Sequence, residues 1–362
     1  GRELVGFIPS ATINANGSER AAKGDNVRAS FTRAATAVNV AESMTIPEGT
    51  DQTVDNKTLV ISKARAVQIP YTGEDVRHLN NGIGFETVYG DQIKQAMRTL
   101  ANEMEVDLAT EAYKNASRAF GTAGTTPFGS NFSEVAELRQ ILVDNGMPSN
   151  DGQASMILGT LAGTNLRQLA QLQKANEAGG VDMLRQGVLL DLQGLMVKES
   201  AQTQSHTKGT GASYLVNDAA HAVGDTTIAA DGGTGTIIAG DVVTFNGDTN
   251  KYVVNTALSG GSFAIGSPGS RIALANDAAI TVGNSYAANV AFHRTALEIA
   301  MRAPAVPDGG DTATDAMLIQ DPFTGMVFEV RVYKGYRKTM IEVAASWGVK
   351  AWKPEHIAVL LG

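Results

Sequence analysis

Five histidines, His78, His206, His221, His293 and His356, are the first residues to test for chemistry, because imidazole binds metals and moves protons near neutral pH. None sits in an HExxH or comparable ligand spacing, and two fall in loop-like stretches, so the pattern assigns them structural or surface roles. His293, on the apolar side of a predicted helix, reads as a core histidine. Gly233 and Gly235 begin a GxGxxG pattern, but Ile238 stands at the third glycine and no helix follows, which leaves turn glycines. There is no GxxxxGK[ST] phosphate loop, and Ser262 and Ser285 lack the GxSxG elbow. Four carboxylates remain, Glu103, Glu105, Asp107 and Glu111, partly spaced for one helix face. A carboxylate metal pair would use such a face, yet no histidine stands three residues from any of them. A solvated face or an ion pair to a neighbouring chain is the expectation. The sequence thus predicts no catalytic, cofactor-binding or metal-binding residue, and no enzyme.

Those carboxylates ride on residues 85–120, a proline-free stretch in which Ile93, Met97, Leu100, Met104, Leu108, Ala112 and Ala116 recur three or four apart. The spacing predicts one helix with a single apolar stripe, roughly 50 Å long at 1.5 Å per residue. Gly82 and Gly84 precede it, Gly121 and Gly124 follow it, and Lys114 and Arg118 suit its negative end. A coiled-coil seam begun at Met97, Leu100 and Met104 would run onto Asp107 and Glu111. A straight helix lying on a sheet fits better.

The 362 residues, 43% of them hydrophobic, can bury a real core in two or three domains. Thirty-nine glycines and a low aromatic share imply many turns and strands around the helix, an α+β composition. The net charge of -8 comes without a dense Lys/Arg run, which argues against sequence-specific DNA reading. The absence of cysteine removes disulfides and thiolate metal sites, so packing or neighbouring chains must hold the fold. No apolar run reaches the roughly 20 residues of a membrane span, and no charged-then-apolar leader is expected from the residues before Leu4. A start at Gly1 instead of Met leaves room for residues upstream.

In chain order, residues 1–35 read as an arm, with one apolar patch at 4–8 ended by Pro9. Residues 36–75 read as an extended hairpin loop with strands at 36–46 and 58–71. Such a hairpin is marginal alone and needs a partner surface. A second helix follows Asn131 or Ser133 and stops at Gly146 and Pro148. A strand at 155–158, a helix at 161–175 and a strand at 194–199 alternate as an α/β unit does. Residues 202–211 read as a flexible connector into a small all-β module with short strands at 214–216, 236–238, 242–245, 252–254, 263–265 and 280–282, and a hairpin loop at 246–250. Helical spacing returns at 289–302, and residues 316–361 read as antiparallel strands, with turns at Asp321, Pro322, Gly325 and Gly335, forming a bed for the long helix. The division is an arm (1–35), an extended loop (36–75), a peripheral domain (76–150 and 305–362), an axial domain (151–202 and 288–304) and an inserted β domain (203–287).

This order of parts resembles a tailed-bacteriophage major capsid protein of the Hong Kong 97-type fold, over essentially the whole chain. RELVGFIP at 2–9, VQIPYTGEDVRHL at 67–79, GDVVTFNGDTNKYVV at 240–254 and WKPEHIAVLL at 352–361 are similar to phage coat proteins that carry an inserted β domain. The resemblance implies self-assembly into hexamers and pentamers of an icosahedral shell around double-stranded DNA, contacted non-specifically. It also implies a virion location after assembly in the host cytoplasm, with a scaffolding protein, a portal and in some cases a decoration protein as partners. Some relatives cross-link a hairpin lysine to an asparagine of a neighbouring subunit. Lys57 and Lys63 could supply the amine, but no asparagine follows Asn289, so a non-covalent shell is expected. An encapsulin-like compartment and a soluble enzyme are the alternatives.

Overall fold

The long helix forms where its apolar stripe predicts it, but it spans Phe85–Lys114 and not 85–120. Asn115 ends it: both its backbone N–H and its side-chain amide donate to the Glu111 carbonyl, at 3.2 and 3.0 Å. A short polar side chain that competes for the ladder in this way favours a stop. The chain then turns into a strand, Arg118–Gly121. The structure, a computed structural model, describes residues 6–31, 37, 39–40, 42–45, 55–80, 82, 84–173, 191–219, 221–321 and 325–362.

One face of this spine helix lies on a sheet built around the 14-residue strand Lys338–Ala351. That strand pairs antiparallel with Val327–Gly335 (Glu329 opposite Ala344), with Lys63–Thr72 (Ile69 opposite Ile341) and with Leu297–Pro304 (Ile299 opposite Val349). Ala313–Gln320 forms one outer edge on Val327–Gly335. The turn between these two is closed by the Gly325 N–H donating to the Asp321 carbonyl at 2.8 Å; Pro322 lies outside the described residues. Leu100, Met104, Leu108 and Ala112 of the helix are buried with Phe328, Val343 and Trp347 of the sheet in one core. This is the bed expected from the alternating tail.

Two expectations change here. Residues 12–21 are not loose: Thr12–Ala21 is a strand in parallel register with Leu297–Pro304. The hairpin also begins earlier than its sequence suggests, with Asn26–Phe31 pairing Asp55–Val60. Of the predicted strand 36–46, residues 37, 39, 40 and 42–45 carry no strand, and the rest lies outside the described residues. The hairpin returns over the sheet at Gly348, where an added Cβ would stand 2.0 Å from the Val60 carbonyl oxygen. Only glycine permits that approach.

The predicted helix at 289–302 is instead two strands, Tyr286–His293 and Leu297–Pro304, joined by a short 3₁₀ turn. Tyr286–His293 lies between Ile357–Leu361 and Ala154–Leu158 with almost every residue buried, as does Leu297–Pro304 in its own sheet. A strand covered on both faces shows a continuous apolar run without alternation, and such a run is easily read as a helix. The second sheet continues from Met196–Glu199 through Ala154–Leu158, Tyr286–His293 and Ile357–Leu361 to Arg118–Gly121. Ser133–Asp144 and Thr160–Gln168 pack against it; the helix expected over 161–175 is broken at Leu169 and resumes as Ala170–Gln173, and 174–175 lie outside the described residues.

Arg118–Gly121 also pairs with Lys251–Ser259, which carries the sheet into the β stretch between residues 212 and 287. That stretch has its own core, with Tyr214, Val216, Ile228, Phe245, Tyr252 and Phe263 buried together. The 246–250 loop joins Val242–Phe245 to Lys251–Ser259 as expected. Residues 236–238, however, are not a strand; Thr227–Asp231 takes that place between Tyr214–Val216 and Ser262–Ile265. The connector at 202–211 is ordered, because Ser205–His206 pairs with Tyr286 and Ala287, and a Cβ on Gly209 would stand 2.2 Å from the Thr236 carbonyl oxygen.

Candidate functional site: the carboxylate row of the spine helix

The four spine carboxylates take hold of the strand Lys63–Thr72, the central strand Lys338–Ala351 and residues 6–8. Glu103 pairs with Arg65 at 3.1 Å and Asp107 with Lys63 at 2.7 Å, so two carboxylates one turn apart hold the strand that leads out of the hairpin. The other oxygen of Asp107 accepts the Trp347 indole N–H at 2.8 Å. Glu111 accepts the Ala351 N–H at 3.1 Å, which fixes the far end of the same central strand. Burial pushes the Glu111 carboxyl above its usual range, against the pull of that N–H and of Lys350 and Lys114.

Glu105 is wholly buried, and its partners are the arm and one hydroxyl. Oε1 accepts the Gly6 and Phe7 N–H groups at 2.5 and 2.8 Å, Oε2 accepts Ile8 N–H at 2.9 Å, and Ser200 Oγ donates to Oε1 at 2.8 Å. A charge taken out of water is tolerated only with such donors around it. The row is thus a set of intramolecular pins, where a solvated face or an ion pair to a neighbouring chain was expected. No three His, Asp or Glu side chains among the described residues are grouped to hold a metal ion.

A second ionic set, which the sequence offers no motif to find, ties the arm strand to the sheet. Glu329 is buried and receives Arg20 at 2.6 Å and Arg331 at 3.0 Å, and Arg331 also reaches Asp311. Arg302 pairs with Glu19 at 3.1 Å.

Four of the five histidines, His206, His221, His293 and His356, are buried against neighbouring groups. His206 Nε2 lies 2.8 Å from Asp241 Oδ1, both buried, in a ring cluster with Tyr113 and Tyr286. Asp241 also accepts the Gly209 and Ile238 N–H groups, at 2.9 and 2.8 Å, closing the connector onto the β stretch. His293 bridges Asp151 and Thr295 at 2.8 Å each and meets the His356 ring edge-on at 6.1 Å. His221 is buried, with the Leu274 N–H 3.4 Å from Nδ1, and His78 lies on an exposed part of helix Gly73–Asn80. Gly233 and Gly235 enclose Tyr214: a Cβ on Gly233 would stand 2.3 Å from its ring, and its hydroxyl donates to the Gly235 carbonyl at 2.8 Å. Ser262 lies in strand Ser262–Ile265, and Ser285 Oγ accepts the Lys208 N–H at 3.1 Å. Lys63 is committed to Asp107, and Lys57 sits exposed in the hairpin.

No family profile matches the sequence, and no curated protein does either. Solved structures do match. A structure from Mycobacterium phage Che8 superposes over 98% of this chain and 90% of its own, with a TM-score of 0.51 at 13% identity. The capsid structure of the cyanophage P-SCSP1u covers 100% of this chain and 89% of its own, with a TM-score of 0.53 at 10% identity. At those identities the likeness establishes the fold: this chain has the α+β fold of a phage capsid protein.

Proposed function

We propose that this chain is a major capsid protein, copies of which assemble as hexamers and pentamers into an icosahedral shell around the double-stranded DNA of a tailed phage. The observation that carries the reading is the fit of the whole chain to the cyanophage capsid structure. The carboxylate row supports it, because a thin plate stays rigid when one helix pins arm, hairpin strand and sheet together. The role is structural and not catalytic. The arm strand Thr12–Ala21, the hairpin strands Asn26–Phe31, Asp55–Val60 and Lys63–Thr72, the spine helix with the sheet around Lys338–Ala351, the second sheet and the β stretch at 203–287 are its proposed working parts. Assembly in the host cytoplasm with a scaffolding protein and a portal, with or without a decoration protein, belongs to the same proposal.

Electron microscopy of purified native or recombinant particles, with sedimentation, tests it. Closed shells of uniform diameter holding DNA are the expected result. Closed shells holding enzymes in place of a genome would make the protein a cellular compartment. A monomer or small oligomer that never closes, even with a scaffold supplied, would overturn the shell reading.

A further inference from the structure

Glu105 is a buried ionisable group whose donors are one hydroxyl and three consecutive backbone N–H groups of a single segment. That segment, residues 6–11, is bonded to itself: Ser10 and Ala11 N–H both donate to the Phe7 carbonyl, at 3.0 and 2.9 Å, and Ser10 Oγ donates to the Gly6 carbonyl at 2.8 Å. It is therefore a turn closed by its own hydrogen bonds. Its side chains fill a groove between the spine and the second sheet, with Phe7 stacked on Phe292 at 5.9 Å and both Phe7 and Ile8 fully buried. Gly6 must be glycine there, since a Cβ would stand 2.9 Å from the Ile157 side chain. Lys198 adds an ammonium on Ser10 Oγ at 2.8 Å.

We propose that residues 6–11 are a strap that docks and undocks as a unit on the Glu105 carboxylate, while the strand that follows stays in place. The physical reason is how the partners are distributed. Departure of the turn breaks all three N–H bonds together and opens the groove, so water replaces the lost donors and Glu105 is not left buried and bare. Strand Thr12–Ala21 is held by a different set, its ladder to Leu297–Pro304 and the Arg20–Glu329 and Glu19–Arg302 pairs. Docked, the strap locks the spine helix to strands Tyr286–His293 and Ala154–Leu158. Released, it frees that joint and leaves an apolar groove with a carboxylate at its floor. The inference rests on contacts within one chain and does not depend on the shell reading.

Amide hydrogen exchange on the intact chain tests it. In the unmodified protein the amides of residues 6–8 should open at least tenfold more often than those of Thr12–Ala21, and show little urea dependence, as local opening does. Glu105→Gln, which turns an acceptor into a donor against the same N–H groups, should speed exchange at 6–8 by a further tenfold or more, with Thr12–Ala21 and the spine amides unchanged. Ser200→Ala, milder and removing one donor to Oε1, should produce a smaller change at the same three amides. Equal opening of residues 6–8 and Thr12–Ala21 in the unmodified protein would overturn the proposal, and so would an increase shared by the whole spine in either variant. The first comparison needs no variant, so it decides the matter even where Glu105→Gln fails to fold.

Discussion

Buried ionisable side chains tie distant segments of this protein together, and His356 shows how such a group sets a pH limit. It is buried, and desolvation pushes its imidazole below the ordinary value of 6.5, with Lys353 and His293 adding to the effect and Glu355 and the Gly146 backbone opposing it. The fold therefore favours the neutral ring. The stability that the neutral ring contributes is complete above about pH 6.5 and is lost as pH falls from there toward the folded value, because the unfolded chain takes the proton first. Thermal melts between pH 7.5 and 5.5 should show a falling midpoint, and His356→Gln should flatten that slope; an unchanged slope in the variant would refute the assignment. Asp151 acts in a separate, lower window: the Gln153 N–H and then His293 hold its carboxyl below 3.8, so its contribution is lost only below that pH. A second residue with a defined cost is Gly348. Gly348→Ala should destabilise the protein by at least about 1–3 kcal/mol, the range for forcing extra atoms into a packed interior. Proteolysis of the hairpin should rise with it, because the new methyl displaces the Val60 carbonyl.

Among the elements, the spine helix does two jobs with two faces. Its apolar stripe buries Leu100, Met104 and Leu108 almost completely, and its carboxylates take hold of the strands around it. Leu108→Ala removes a fully buried side chain where the helix meets the sheet and should cost about 2–5 kcal/mol by chemical denaturation. An exposed position such as Gln95→Ala should cost under about 0.5 kcal/mol by the same measurement. Equal losses at the two sites would mean that the stripe does not organise the helix. Among the strands, Lys338–Ala351 pairs along most of its length with one partner or another, and Trp347 within it is at once core residue, donor to Asp107 and partner of Lys63 in register.

At the scale of the whole molecule, the proposed shell should be held by non-covalent contacts. No asparagine follows Asn289, and Lys63 is engaged by Asp107, so particles boiled in denaturant should run as single-chain bands; a ladder of multiples would contradict this. The spine helix, the tail strands and the 246–250 hairpin were legible in the sequence because local patterns record them: a proline-free apolar stripe, alternation and turn chemistry. What the sequence could not show was which carboxylate meets which segment, since Glu105 and Gly6 lie 99 residues apart and no local spacing encodes their approach. The same limit explains residues 289–302, where burial on both faces erases the period that separates strand from helix. It also explains the arm, whose polar run becomes a strand only because Leu297–Pro304 offers it an edge. Local periodicity is written in the chain, whereas pairing and burial arise only when distant segments meet.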